Sequence, residues 1–104
     1  MSKPKPDRAH KSIYVMRTET LGGGLTKVGV AECVSCRNRT LRIHRKLKDL
    51  RVVKSWQRNG DAYPIERRCH KALAEYRVGN EWFNCSAAQA CRVVARVIRE
   101  FEAG

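Results

Sequence analysis

The sequence predicts a single α/β domain of the α+β kind, a three-stranded antiparallel sheet flanked by helices, in the order ββαβα, a short strand and a last helix. Three observations lead there. The 104 residues suit one compact core and are too few for two. Two β-branched runs near the start are joined by a glycine-rich loop, as in a hairpin. Three later stretches carry apolar residues at spacings of three and four, as one face of a helix does.

Residues 1–11, MSKPKPDRAHK, mix lysine, proline and polar residues that cannot bury enough surface to offset the entropy of ordering. They are expected to form a flexible basic arm ahead of a domain at 12–104. SIYVMR (Ser12 to Arg17) and LTKVGV (Leu25 to Val30) are the hairpin strands, with Gly22, Gly23 and Gly24 in the loop. From Cys33 the period changes, and Cys36, Thr40, Ile43 and Leu47 give the apolar stripe of a very basic helix. LRVVKSW (Leu50 to Trp56) is the third strand, and Asn59 to Asp61 turn the chain out of it. Pro64 suits the first turn of a second helix, with Ile65, Cys69, Ala72, Leu73 and Tyr76 on one face and Gly79 as its stop. NEWFNC (Asn80 to Cys85) is a short extended segment. Ser86 followed by Gln89 has the form of a capping box, and Ala90, Val94, Val97, Ile98 and Phe101 make the core stripe of the last helix.

The charge balance narrows the function classes. With 22 Lys and Arg against 10 Asp and Glu, the net charge is +12, which calls for a polyanionic partner. Nucleic acid comes first, because each neutralised phosphate releases counterions; an anionic membrane surface or RNA-rich assembly is the alternative. No apolar run approaches the ~18 residues of a spanning helix, and the basic N-terminus has no hydrophobic segment to act as a signal, so a cytoplasmic protein is expected. Five cysteines, an odd number in a reducing compartment, are read as free thiols or metal ligands, not as a disulfide framework.

The order of particular residues adds a resemblance. Ile13-Tyr14 on the first strand, Lys27-Val28-Gly29 on the second, Arg37 eight residues beyond that glycine, and Glu66 on the next helix resemble the GIY-YIG nuclease superfamily. More narrowly they are similar to its small phage- and bacteria-associated branch, in which the second motif reads K-I/V-G and a tail like EYRVGNEWF (Glu75 to Phe83) follows the helix of the glutamate. The resemblance spans about residues 12–98. Ser12 stands where the first motif has glycine, Lys27 where it has a second tyrosine, and Ala31 where a Ser or Thr often caps the next helix; the family's late asparagine has only Asn84 as a candidate.

What the resemblance implies is phosphodiester hydrolysis with few groups. Glu66 would hold one hard divalent cation, Mg²⁺ or Mn²⁺, with waters and phosphate oxygens completing the shell; otherwise it is a solvated helix glutamate beside Arg67 and Arg68. Arg37 would clamp the scissile phosphate with its planar guanidinium, and is otherwise one more cation on a basic helix. Tyr14 would be general base or water positioner, against a half-buried strand aromatic. As base it needs a nearby cation to bring its pKa down from ~10. Lys27 would do that, protonate the leaving oxygen, or contact phosphate. His70, four residues after Glu66 on the same side of the helix, is a proton shuttle or phosphate contact, or is structural. Arg39, Arg42, Arg45 and Lys46 would track the nucleic-acid backbone without reading sequence. Trp82 and Phe83 belong with the core, a stacking role for Trp82 being the alternative.

The cysteines bear on a rival. Cys33 and Cys36 make one half of a zinc signature, but Cys69, His70, Cys85 and Cys91 fall at irregular intervals and supply no clear second half. The sequence therefore points to a Mg²⁺- or Mn²⁺-dependent DNA endonuclease or nicking enzyme, with DNA as partner, no membrane and no small-molecule cofactor, acting as monomer or homodimer. A catalytically inactive nucleic-acid-binding protein on the same fold is the alternative, and a zinc-stabilised binding module a third possibility.

Overall fold

The computed structural model describes residues 11–104, so the arm expected over 1–11 lies, Lys11 apart, outside the described residues. The hairpin forms as the sequence predicts. β1 (Ser12–Thr18) pairs antiparallel with β2 (Leu25–Ala31), and Gly22, Gly23 and Gly24 take positive φ in the loop between them, where a side chain would be strained. β3 (Arg51–Gln57) adds antiparallel to the other side of β1.

The sheet does not stop at three strands. β4 (Arg77–Gly79) and β5 (Trp82–Phe83) form a tight hairpin whose second strand joins β2, giving five antiparallel strands in the order β3-β1-β2-β5-β4. The expectation of three is corrected for a physical reason. Strands of three and two residues are too short to show alternation, and only pairing with β2 makes them strands.

Alternation along β1 splits the interior into two. Ile13 and Val15 join a core with Val28, Phe83 and the inner faces of α2 (Ala62–Ala72) and α3 (Ala87–Ala103). Tyr14 and Met16 point to the opposite side, where they meet Ala31, Leu47, Leu50 and the half-buried Val34 and Leu41 of α1 (Val34–His44). Helices thus cover both faces. Ser86 caps α3 as expected, accepting the Gln89 N–H at 3.0 Å, and Ala90, Val94, Val97 and Ile98 are buried. α2 ends at Ala72 and is followed by a 3₁₀ turn at Ala74–Tyr76, so Gly79 belongs to β4 instead of stopping the helix. Among the described residues no helix is long and apolar enough to cross a membrane.

α1 departs most from the sequence reading. Cys36, Thr40 and Ile43 face outward, Ile43 being 65 % exposed, and the helix buries no residue fully. Its inward positions are Val34, Asn38 and Leu41, again at spacings of four and three, with the Asn38 Oδ1 buried and unpartnered among the described residues. Periodicity weighted by hydrophobicity favours Cys36 and Ile43 over an asparagine, and so selects the wrong stripe. The thiols are corrected too. Cys33 and Cys36 are joined in a disulfide that closes the first turn of α1, their Cα atoms 5.2 Å apart, while Cys69, Cys85 and Cys91 are free.

Candidate functional site

β5 pairs with the first part of β2 at Thr26 and Lys27, and the Glu81 carbonyl still takes the Val28 N–H, so among the described residues β2 from Gly29 onward has no strand beside it on that edge. Into this opening come α2, the β4–β5 turn and the C-terminal end of α1. The result is a cleft of about 460 Å³ lined by Lys27, Arg45, Glu66, His70, Arg77, Asn80, Glu81 and Trp82. Of the residues the resemblance singles out, Lys27, Glu66 and His70 meet here, while Tyr14, which does not line the cleft, lies near Glu81 against Gly29.

Tyr14 is opposite Gly29 in the β1–β2 register, so its ring lies across the glycine. A methyl group on Gly29 would stand 2.5 Å from the Tyr14 hydroxyl and 2.6 Å from a Glu81 carboxylate oxygen. Glycine here is a requirement of close approach, not of backbone angle. Gly29→Ala is expected to destabilise the fold by about 1–3 kcal/mol and to dislodge the tyrosine hydroxyl. Urea unfolding checks this; a midpoint equal to that of the wild type would show that the approach is looser than described.

The electrostatics follow from burial and from two carboxylates. Tyr14 is 1 % exposed, and burial, reinforced by Glu81, drives its phenol pKa upward against an opposing pull from Arg37 that outweighs the small further push of Glu66. It stays a neutral phenol. Glu66, on the rim of α2 with its side chain 14 % exposed, has its carboxyl pushed up to about 7, first by burial and then by Glu81, with Lys27 and Arg67 pulling the other way. Its carboxylate accepts no hydrogen bond among the described residues; the His70 Nε2 stands 3.9 Å away. Lys27 is engaged, its Nζ donating to Glu81 Oε1 at 2.8 Å and lying 5.3 Å from the centre of the Trp82 ring.

His70 completes the edge of β2. The Val28 carbonyl lies just past the β5 pairing, and the His70 Nε2–H donates to it at 2.8 Å. The Arg77 guanidinium donates to Nδ1 at 3.2 Å, so both ring nitrogens are used and the neutral tautomer with its proton on Nε2 is the one that fits. Burial lowers the imidazole pKa, the Val28 bond opposing it. Phe83 supports the ring from below, with centroids 5.1 Å apart.

The basic residues of α1 separate. Arg45 lines the cleft, whereas Arg39, Arg42 and Lys46 border another hollow with Ile43 and Lys48. Arg37 is exposed on the first turns of α1 and lines a third hollow with Lys11, Glu32, Cys33, Cys36 and Tyr63; only its charge reaches Tyr14. Sequence reasoning missed Glu81 as a member of the site. Its one signal was its place in the turn before Trp82-Phe83. In the disulfide form Cys33 and Cys36 offer no thiolate, and no cluster of three or more His, Cys, Asp or Glu positioned for a metal occurs among the described residues.

A single free carboxylate in a polar cleft fits a hard divalent cation that takes most of its shell from water and phosphate oxygens. No curated protein and no solved structure matches the chain. A family model does, over residues 11–98, from the first strand into the last helix. The chain belongs to the T5orf172 domain family, a phage-associated group in the nuclease-related class.

Proposed function

We propose that this chain is a DNA endonuclease or nicking enzyme of the GIY-YIG type, hydrolysing phosphodiester bonds in the Glu66 cleft with Mg²⁺ or Mn²⁺. The observation that carries the reading is the Glu66 carboxylate: largely shielded, without a hydrogen-bond donor among the described residues, and bordered by Lys27, Arg45 and Arg77. Buried carboxylates are ordinarily paired, and one left open in a basic cleft is suited to a cation arriving with a phosphate. The family and the net charge of +12 support nucleic acid as the substrate.

Glu66 would hold the cation, which would supply a Lewis acid for the phosphoryl oxygen and for the attacking water. Lys27 places a positive charge within reach of the phosphate or the leaving oxygen, and Arg45 and Arg77 take up phosphate charge at the rim. Tyr14, kept protonated by burial and the two carboxylates, serves as water positioner through its hydroxyl instead of as a base. His70 ties α2 to β2 through Val28 and so fixes the helix that presents Glu66. Arg37, outside the cleft in the free protein, swings its long side chain onto DNA that lies over α1.

One observation favours the alternative of a catalytically inactive nucleic-acid-binding protein. Lys27 is already neutralised by Glu81, as in a site that has settled into an internal ion pair. Supercoiled plasmid separates the two. Wild type is expected to nick it with Mg²⁺ or Mn²⁺ and not with chelator, and Arg37→Ala to nick at least about a hundredfold more slowly while still folded. Salt-sensitive binding of duplex, branched and single-stranded DNA without any cutting supports the inactive protein instead.

A further inference from the structure

We propose that Glu81 is a positioning residue that occupies Lys27 in the place of a DNA phosphate, holding the lysine in readiness until a phosphodiester displaces it. The proposal rests on the cleft being a DNA phosphate site. It begins from an asymmetry within the ion pair. Lys27 projects from the middle of β2 and its side chain is only 11 % exposed, whereas that of Glu81 is 39 % exposed. The lysine is the fixed partner and the glutamate the outer one.

The backbone explains the asymmetry. Glu81 is in the two-residue turn between β4 and β5, after Asn80, whose φ is +42°. Its carbonyl accepts the Val28 N–H at 3.1 Å, which pins the turn to β2 and brings the carboxylate over Lys27. The ammonium is then held between the face of Trp82 and a carboxylate oxygen at 2.8 Å. A phosphate oxygen makes the same charge-assisted hydrogen bond at the same distance, and an ammonium, unlike a guanidinium, binds either as a point charge. The other two cations of the cleft, Arg45 and Arg77, have no carboxylate within ion-pair distance among the described residues. Of the three cations in the cleft, Lys27 alone is held back in this way. A lysine left bare in a half-buried cleft would also bear the cost of its own desolvation, which Glu81 offsets while DNA is absent.

The consequence is measurable without cutting. Freed from Glu81, Lys27 contributes one whole phosphate contact that in the wild type is partly cancelled by breaking the ion pair. Binding of a short DNA duplex is followed by fluorescence anisotropy in chelator across a range of salt concentrations, for wild type, Glu81→Gln, Lys27→Gln and the double variant, each checked for folding by circular dichroism. Glu81→Gln is expected to bind about fivefold more tightly, with the slope of log affinity against log salt steeper by up to about 0.9, and the effect is expected to vanish in the Lys27→Gln background. An unchanged slope in folded Glu81→Gln overturns the proposal. So does the same gain in the Lys27→Gln background, which would make Glu81 merely a repulsive charge. Should Glu81→Gln not fold, Glu81→Asp, whose shorter arm loosens the pair, is expected to steepen the slope in part, and no change there overturns the proposal as well. Failure of the nuclease reading looks different, as binding with these slopes and no nicking in metal; a wild type that does not bind DNA overturns both.

Discussion

Glu66→Gln is expected to make the protein more stable by about 3 kcal/mol above pH ~7, and inactive. The sign follows from the direction of the shift. Glu66 is pushed from an ordinary 4.5 up to about 7 in the fold, so between those values the native state holds a proton that the unfolded chain has released. Stability contributed by the neutral carboxyl is full below pH ~4.5 and is lost as pH rises through about 7. Glutamine keeps the neutral shape at every pH. The variant's melting temperature is therefore expected to exceed that of the wild type by about 10–20 °C at pH ~8 and to converge with it at low pH. Added Mg²⁺ should raise the melting temperature of the wild type, because a cation on Glu66 binds only the folded state, and leave that of Glu66→Gln where it was. Calorimetry across pH, with and without metal, reads all of this. A Gln variant less stable than the wild type at alkaline pH would mean that Glu66 is paired and stabilising, and is not the open carboxylate of a site. A gain in stability on losing a group is what a strained functional position shows.

Phe83→Ala is expected to cost about 3–5 kcal/mol, a large part of the roughly 5–15 kcal/mol that holds a domain together. Phe83 is fully buried on a strand of two residues, so its ring is the chief apolar anchor of β5 and, through it, of β4. It faces Val28 and the α2–α3 core on one side and the His70 ring on the other, with the Arg77 guanidinium 5.8 Å from its centre. Truncation leaves a cavity directly beneath the histidine that completes the edge of β2. Denaturant unfolding is expected to show a lower midpoint at an unchanged slope, with Phe83→Leu intermediate. A loss below about 1 kcal/mol would mean that the β4–β5 hairpin is held by its backbone bonds and not by this side chain.

The parts that the sequence made legible are those governed by local chemistry. The glycine loop, the cap at Ser86 and the stripe of Ala90, Val94, Val97 and Ile98 follow from turn angles, one hydroxyl and one period, and each is found in place. The order of Tyr14, Lys27 and Glu66 was legible only by resemblance, since nothing local tells a strand tyrosine beside a cleft from one in a core. Tyr14 is, in fact, both. What stayed hidden depends on tertiary placement. Glu81 joins the site because a two-residue turn docks on an unpaired stretch of β2, an event that leaves no period in the sequence. The inward face of α1 was misread because Asn38 occupies a position that hydrophobicity would give to Ile43. The closed pair of Cys33 and Cys36 was misread because an odd cysteine count argues about the whole chain and says nothing of two residues on one helical turn.

The central claim is that phosphodiester chemistry occurs at Glu66. The most direct measurement is the single-turnover nicking rate of supercoiled plasmid by wild type and Glu66→Gln at pH ~8, in Mg²⁺ and in Mn²⁺, on samples shown to be folded and to bind the plasmid. The account predicts metal-dependent nicking by the wild type and a rate at least about a hundredfold lower in the better-folded Gln variant. Equal rates in the two, or a wild type that binds and never cuts in either metal, would contradict it.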